Sequence, residues 1–207
     1  MTYTTLSPQE IRQAVYDEAK RQFLLRGIDQ VEMKQLAQTV GIGRTTLYRY
    51  YPSIDHLALM TMTELIQMVN NDTAMATLEG QSGYDALRLH YCQLIDTLIS
   101  HPQVTRFMAQ FDLRYQGHYP SIPEADAYRD ILMKQYGRQS ALFQRGIADG
   151  SIRPDADIGK ALYAVLHAVV GYAQRTQDHA FGAETRRDHM LWIVDSLLGS
   201  VKASVSS

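Results

Sequence analysis

Residues 40–53 read Val-Gly-Ile-Gly-Arg-Thr-Thr-Leu-Tyr-Arg-Tyr-Tyr-Pro-Ser. The two glycines predict a tight turn, and the residues after them predict a short helix over 44–50 that ends before the proline. A helix this short is unstable by itself, so it must pack against a neighbour. Residues 33–40, with Leu36 and Ala37 turned inward, form the predicted neighbour.

The predicted helix 44–50 has two chemically different sides. At about 100° per residue, Leu47 and Tyr51 share one side and the polar residues point away from it. Two short helices, a glycine turn and a polar outer surface predict a helix-turn-helix that docks on DNA. Arg can pair with guanine, Thr can contact thymine methyls, and Tyr hydroxyls suit phosphates. The alternative is that Tyr48, Tyr50 and Tyr51 pack together; we favour this interpretation for Tyr51 alone.

The net charge of the chain and the distribution of charge along it lead to different predictions about a nucleic-acid partner. The 207 residues include 20 Lys+Arg and 22 Asp+Glu, and the resulting net charge of −2 argues against a nucleic-acid partner. Residues 33–52, however, contain Lys34, Arg44 and Arg49 and no acidic residue. This basic segment coincides with the predicted helix-turn-helix, although an ordinary solvated surface would carry the same charge.

Start and stop signals predict helices throughout the chain. Ser7-Pro8-Gln9-Glu10 is a capping box with a proline at the first helical position, and no segment alternates with the period of a strand. We predict an all-α fold of about nine helices, with a three-helix helix-turn-helix domain over 1–53. A larger helical domain for effector binding and dimerisation follows over 54–207. The Tyr/Gly/Pro-rich residues 112–120 are predicted to form a loop, either a lid or a connector.

The composition favours a cytoplasmic protein. A single cysteine, Cys92, fits a reducing compartment, and we find no signal peptide. The longest apolar run, residues 161–171, is too short to cross a bilayer, so no membrane partner is expected.

The residues around the turn resemble the N-terminal domain of TetR-family transcriptional regulators. The resemblance covers about residues 8–60 and rests on Phe23-Leu24, Gly27-Ile28, Leu36-Ala37, residues 40–53 and Leu57. The rest of the chain is similar only in being helical. By position, the resemblance implies DNA contacts at Met33, Lys34, Arg44, Thr45, Thr46, Tyr48, Arg49 and Tyr50.

Two positions depart from the pattern of the family. Glu32 stands where a threonine usually caps the second helix, and glutamate is a weaker cap. Ile54 stands where a phosphate-binding lysine is common. The loss of one phosphate contact should flatten the salt dependence of DNA binding by about one unit of log–log slope.

The last two predicted helices favour a homodimer. One carries a stripe of small residues, and the other has five consecutive apolar residues, 190–194, that need cover on more than one side. The TetR-family dimer is a four-helix bundle of such helices, and two recognition helices about 34–36 Å apart read a near-palindromic DNA site. The alternative is a well-covered monomeric core. The predicted interface is Ala161, Ala164, Ala168, Gly171, Met190, Ile193, Val194 and Leu197.

The middle helices predict a cavity for a small apolar or aromatic effector, because they combine large apolar residues with a few polar tips. Each residue could instead be ordinary core, and His167 is interpreted as a core or pocket residue and not as a catalyst. The candidate lining residues are Tyr91, Cys92, Phe107, Met108, Phe111, Tyr115, Tyr128, Tyr136, His167 and Tyr172.

Signals of catalysis are missing from the sequence. No two histidines have the spacing of a helical metal pair, and there is no glycine-rich phosphate loop and no nucleophile elbow. We predict no catalytic residue, metal or cofactor. The predicted function is a DNA-binding transcriptional regulator, a repressor that a small molecule releases from a palindromic operator. Two alternatives remain: a ligand-independent DNA-binding protein that responds to a protein partner, and an enzyme or binding module with a vestigial helix-turn-helix.

Overall fold

Helices account for the regular structure of the chain. The computed structural model describes residues 7–72, 80–177 and 181–203, and of residues 70–72 only the backbone. These ranges contain nine α-helices and no strand, which confirms the predicted all-α fold. No helix within them has the length and apolarity to cross a membrane. The helices are α1 Pro8–Arg26, α2 Met33–Val40, α3 Arg44–Tyr50, α4 Ile54–Asp72, α5 Gly83–Ser100, α6 Pro102–Tyr115, α7 Pro123–Ala148, α8 Ile158–Arg175 and α9 Ala183–Gly199.

The first helix begins where the capping box predicts. The Ser7 N–H donates to Glu10 Oε2 at 2.7 Å, and the Glu10 N–H donates to Ser7 Oγ at 3.3 Å. These two bonds satisfy amides that a helix otherwise leaves unpaired. The same bonds hold the pKa of the Glu10 carboxyl below its usual value.

The chain divides into two compact units. The first comprises Met1–Leu65 with Arg106–Asp130, and the second comprises Ile66–Thr105 with Ile131–Ser207. Most of α6 and the start of α7 thus group with the first three helices. The predicted domain boundary after residue 53 stays a prediction, and the packing of the first unit extends beyond it.

In the first unit, α1 packs on α2 and α2 packs on α3. Helix α6 joins this core through aromatic contacts. The ring centroids of Phe23 in α1 and Phe107 are 5.8 Å apart, and those of Phe111 and Tyr115 are 4.6 Å apart. The sequence predicts an end to α6 at about Phe111, but the helix continues to Tyr115. It continues because Phe111 and Tyr115, four residues apart, lie on one buried face. The loop is correspondingly shorter than predicted.

In the second unit, α5, α8 and α9 pack against one another. Their buried side chains include Tyr91 and Ile95 of α5, Val165 of α8 and Val194 of α9. Two ion pairs at the surface also join α5 to α9. Arg88 Nη2 lies 3.0 Å from Asp195 Oδ2, and Arg187 Nε lies 2.7 Å from Asp96 Oδ1.

Helices α5 and α7 approach each other closely at two glycines. A Cβ atom added to Gly83 would lie 2.0 Å from the backbone nitrogen of Gly146. The Gly83 N–H donates to Asp149 Oδ2 at 2.6 Å, and the Tyr84 N–H donates to Ser151 Oγ at 3.1 Å. The start of α5 is therefore fixed to the end of α7 by a backbone contact that only glycine permits.

We expect Gly83→Ala to lower the free energy of unfolding by about 3 kcal/mol, because the new methyl group meets backbone that cannot rotate away. Gly137→Ala is the matched control, since Gly137 lies inside α7 with nothing within 4 Å of an added Cβ. The control should raise stability by about 0.5–1 kcal/mol. Urea denaturation measures both changes, and equal effects of the two variants would contradict the close approach.

Candidate nucleic-acid interface

A left-handed glycine sets the angle between α2 and α3. Gly41 has φ 75° and ψ 32°, a conformation that costs other residues about 1–2 kcal/mol. Its N–H donates to the Gln38 carbonyl at 3.1 Å, and the Ile42 N–H donates to the Ala37 carbonyl at 3.0 Å. These bonds close the end of α2, so that α3 can start within three residues.

The two sides of α3 are as predicted. Leu47 is fully buried and Tyr51, directly after the helix, is 7% exposed, whereas Tyr48 is 48% exposed. The Tyr51 hydroxyl donates to the Arg12 carbonyl of α1 at 3.2 Å, and burial raises the pKa of this hydroxyl. Leu47 and Tyr51 thus anchor α3, and its polar residues are left for solvent or a partner.

All eight residues predicted to contact DNA lie on α2 or α3. Lys34 is exposed in the first turn of α2, after the half-buried Met33. The remaining six divide into exposed side chains, Arg44, Thr45, Tyr48 and Arg49, and half-buried side chains, Thr46 and Tyr50. Since α2 and α3 pack together, the helices that carry these residues lie side by side. Their contact with DNA stays a prediction.

The basic side chains of this surface have no acidic partner among the residues that the structure describes. Within residues 7–72, 80–177 and 181–203, no carboxylate oxygen lies within 4.0 Å of a side-chain nitrogen of Lys34, Arg44 or Arg49. On α1, by contrast, Lys20 lies 2.7 Å from Glu64 and Arg21 is paired with Glu18. The positive charge at the helix-turn-helix is therefore available to an external anion.

Both departures from the family pattern are visible in the structure. Glu32 precedes α2 without a side-chain hydrogen bond to the helix, as its weak capping propensity predicts. Ile54 is the first residue of α4 and is half-buried. Ser53 caps that helix, because its Oγ accepts the Asp55 N–H at 3.2 Å.

Arg12, which belongs to no sequence motif, also lies at this surface. The Arg12 Cζ lies 4.9 Å from the centroid of the Tyr50 ring. No local pattern indicates this contact, since Arg12 and Tyr50 belong to different helices that meet only in the folded chain.

A polar cluster that no sequence pattern indicates is formed at the end of α6. The Arg114 guanidinium donates to Asp29 Oδ1 at 2.8 Å and to Asp55 Oδ1 at 3.1 Å. The Tyr115 hydroxyl donates to Asp55 Oδ1 at 2.7 Å, and burial together with this hydrogen bond raises its pKa. These contacts tie α6 to the segment before α2 and to the start of α4.

Half of the candidate effector-lining residues belong to the first unit. Their aromatic rings contact one another, since the ring centroid of Phe111 lies 6.2 Å from that of Phe107 and 5.3 Å from that of Tyr128. They form part of the core of that unit, and a role in lining a cavity stays a prediction. These residues are Phe107, Met108, Phe111, Tyr115 and Tyr128.

The other half belongs to the second unit, where a buried hydrogen-bond chain runs through Tyr91. The Tyr91 hydroxyl donates to Gln139 Oε1 at 3.1 Å, and the Gln139 amide donates to His90 Nε2 at 3.1 Å. Burial, reinforced by the charge of Arg138, lowers the pKa of His90 to about 4, so the ring is neutral at pH 7. Cys92 is half-buried, and burial raises its thiol pKa.

The remaining three candidate lining residues lie nearer the surface of the second unit. Tyr136 is 42% exposed, and Tyr172 is half-buried with its hydroxyl hydrogen-bonded to His189 Nδ1. His167 is exposed, and its ring stacks on Tyr163 with 3.8 Å between the ring centroids, so the prediction of a core position is wrong. It is exposed because α8 turns the opposite face, with Leu162, toward the core. A role of His167 in lining a pocket stays a prediction.

The predicted dimer residues separate into two groups. Met190 and Val194 are 1% and 0% exposed, since they belong to the face of α9 that packs within the chain. The other six are Gly171, which is exposed, the half-buried Ala164, Ala168, Ile193 and Leu197, and the buried Ala161. The largest exposed apolar side chains on α8 and α9 are Tyr163 and Trp192, at 67% and 71%. Pairing with a second copy stays a prediction.

The fold and the surface define a helical protein with an N-terminal helix-turn-helix. Residues 15–60 match the family model described as bacterial regulatory proteins, tetR family. Over 130 residues, the chain is 26% identical to the HTH-type transcriptional repressor KstR of Mycolicibacterium smegmatis. That alignment covers 62% of this chain and 59% of the repressor, less than two thirds of its length.

Solved structures share the fold over nearly the whole chain. The fatty acid degradation regulator FadR from Bacillus halodurans has a TM-score of 0.67 at 12% identity, over 92% of this chain and 96% of that one. A transcriptional regulator from Saccharomonospora viridis, in complex with choline, has a TM-score of 0.68 at 17% identity, over 95% and 100%. The N-terminal part of the chain is therefore similar to the tetR family of regulatory proteins, and its fold is shared with solved transcriptional regulators. The matched family and the aligned relative are regulatory proteins.

The buried histidine makes stability depend on pH. The folded chain keeps His90 neutral down to about pH 4, whereas the unfolded chain protonates it below about pH 6.5. Unfolding therefore takes up a proton in this window, and we expect His90 to make the free energy of unfolding fall by about 3 kcal/mol from pH 6.5 to pH 4.

Denaturation of wild type and His90→Gln at several pH values measures this effect. The glutamine variant should lose this part of the pH dependence, and above pH 7 the difference between the two proteins should be constant. Parallel curves through the acidic window would contradict the neutral, buried state of His90.

Proposed function

We propose that this protein is a DNA-binding transcriptional repressor that acts as a homodimer in the cytoplasm and reads a near-palindromic operator. One observation carries the proposal: Lys34, Arg44 and Arg49 are exposed on a helix-turn-helix and have no acidic partner among the described residues. The match of residues 15–60 to the tetR family model and the similarity to the repressor KstR support it.

The roles of the residues follow from the chemistry of DNA. Arg44, at the start of α3, and Arg49, in its last turn, can each donate two hydrogen bonds to guanine in the major groove. Thr45 and Thr46 offer methyl groups to thymine, and Tyr48 offers a hydroxyl to phosphate. Lys34 of α2 reaches the backbone, where its contact is independent of sequence.

Selection from random duplex DNA tests this proposal. Purified protein should enrich a near-palindrome, and Arg44→Ala or Arg49→Ala should weaken binding to the recovered site by about 1–3 kcal/mol for each arginine that reads a base. Lys134→Ala, at an exposed lysine of α7, is the control and should bind like wild type. If no palindromic site is enriched, the regulator function is wrong.

The dimer is proposed to form through the exposed faces of α8 and α9. Trp192 and Tyr163 are the large apolar side chains exposed there, and a monomer gains nothing by leaving them in water. His167 stacks on Tyr163, and Gly171, on the same helix, leaves room for close approach. Met190 and Val194 contribute indirectly, since they hold α9 on the core.

We expect Trp192→Asp to convert the dimer to a monomer, because a carboxylate would have to be buried at the interface. Met133→Asp is the matched control, as Met133 is 66% exposed on α7. Sedimentation velocity measures the two masses. A monomeric wild type, or a Trp192 variant that stays dimeric, would argue against this interface.

An apolar or aromatic small molecule is the proposed effector, and the neighbourhood of Tyr91 and Cys92 is its proposed site. The buried polar groups there, His90, Tyr91 and Gln139, are neutral, which favours a ligand without full charges. A relative of the same fold is in complex with choline, so the fold accommodates small organic molecules. The effector would release DNA by preferring a dimer whose recognition helices no longer match the operator.

The family resemblance implies that α4 transmits the movement caused by the effector to the helix-turn-helix. Helix α6 is a second candidate for this role. The contacts of Arg114 with Asp29 and Asp55 connect α6 to both ends of the helix-turn-helix. A shift of α6 would therefore move the segment before α2 together with the start of α4.

A further inference from the structure

Two arginines from different helices lie against one tyrosine at the end of α3. The Arg12 Cζ is 4.9 Å from the centroid of the Tyr50 ring, and the Arg49 Cζ is 5.1 Å from it. Arg49 Nη2 also lies 3.5 Å from the Tyr50 hydroxyl. A tyrosine ring attracts guanidinium groups through its negative face, but it does not neutralise their charge.

The backbone of α1 is held at this place. The hydroxyl of Tyr51, the residue after Tyr50, donates to the Arg12 carbonyl at 3.2 Å. The Tyr51 side chain is 7% exposed, so this bond is protected from water. Arg12 is therefore beside Tyr50 because the fold fixes its backbone there, and only its side chain is free to adjust.

Neither arginine in the cluster of Arg12, Arg49 and Tyr50 has an acidic partner among the described residues. In the described part of the chain, no carboxylate oxygen lies within 4.0 Å of either guanidinium group, and both arginine side chains are exposed. Two positive charges beside one ring repel each other, and an anion between or beside them would remove this cost. Planar guanidinium groups bind phosphate oxygens with two parallel hydrogen bonds.

We propose that Arg12 contacts a phosphate of the DNA backbone beside Tyr50 and supplies the electrostatic anchor that Ile54 does not. The proposal rests on the proposed function, since it assigns a further residue to the same DNA-binding surface. The ligand is a phosphodiester and not a base edge, because Arg12 lies on α1, outside the helix whose outer side faces the groove.

The number of phosphate contacts is measured by salt dependence. Each contact contributes about −0.9 to the slope of log K against log salt concentration, so a dimer that loses Arg12 twice should lose about 1.8. Between 50 and 200 mM salt, this makes the affinity of Arg12→Ala fall about 12-fold less than that of wild type. The preference for the selected site over random duplex should stay unchanged, because a phosphate carries no sequence information.

The experiment measures binding of a labelled duplex, carrying the selected site, by wild type and three variants over a series of salt concentrations. Arg12→Ala should flatten the slope, and Arg12→Lys, which keeps the charge, should restore most of it. Arg26→Ala is the matched control, since Arg26 lies at the other end of α1 and also has no acidic partner within 4.0 Å among the described residues. Thermal unfolding verifies that each variant is folded.

A wild-type slope in Arg12→Ala would overturn the proposal, and so would a change in sequence preference, which would indicate a base contact. If Arg12→Ala fails to fold, the slope of Arg12→Gln decides in the same way. If wild type binds no duplex at low salt, the proposed function itself is overturned. If wild type binds DNA but its salt-dependence slope equals that of Arg12→Ala, only the role of Arg12 is overturned.

Discussion

The burial of Leu47 and Tyr51 is the contact on which the rest of the DNA-binding surface depends. Helix α3 has only seven residues, and a helix of that length does not form by itself in water. Leu47 packs into the core beside α2, and Tyr51 holds α1 through the carbonyl of Arg12. With these two residues fixed, the polar side chains between them have no alternative but to face outward.

The charged side chains of the first unit fall into two groups. Some form ion pairs that stabilise the fold, and others are available for binding. Lys20 pairs with Glu64 at 2.7 Å, and burial of that glutamate is outweighed by its hydrogen bonds from Lys20 and Tyr16, which keep its pKa low. Arg114 bridges Asp29 and Asp55 in a similar way. The arginines of α3 have no such partners among the described residues. A net charge near zero therefore conceals a surface suited to an anion.

The helix-turn-helix could be predicted from sequence because its signals are local. A capping box, a glycine with positive φ and the position of Leu47 each act within a few residues, and the observed bounds of α2 and α3 agree with the predicted ones. The end of α6 differs from the predicted one for the opposite reason. Residues 112–120 are Tyr/Gly/Pro-rich as a whole, but residues 112–115 contain neither glycine nor proline, and the packing of Tyr115 on Phe111 extends the helix through them.

The sequence by itself determined the all-α fold, the helix-turn-helix and the side of α3 that faces outward, because helical periodicity and turn chemistry act over short stretches of chain. Only the tertiary structure decided which surfaces remain exposed once helices pack. In the folded chain Arg12 contacts Tyr50, and Met190 and Val194 are buried in the core. Trp192 and His167 are exposed to solvent. These outcomes depend on which faces of distant helices meet, and periodicity defines a face without naming its neighbour.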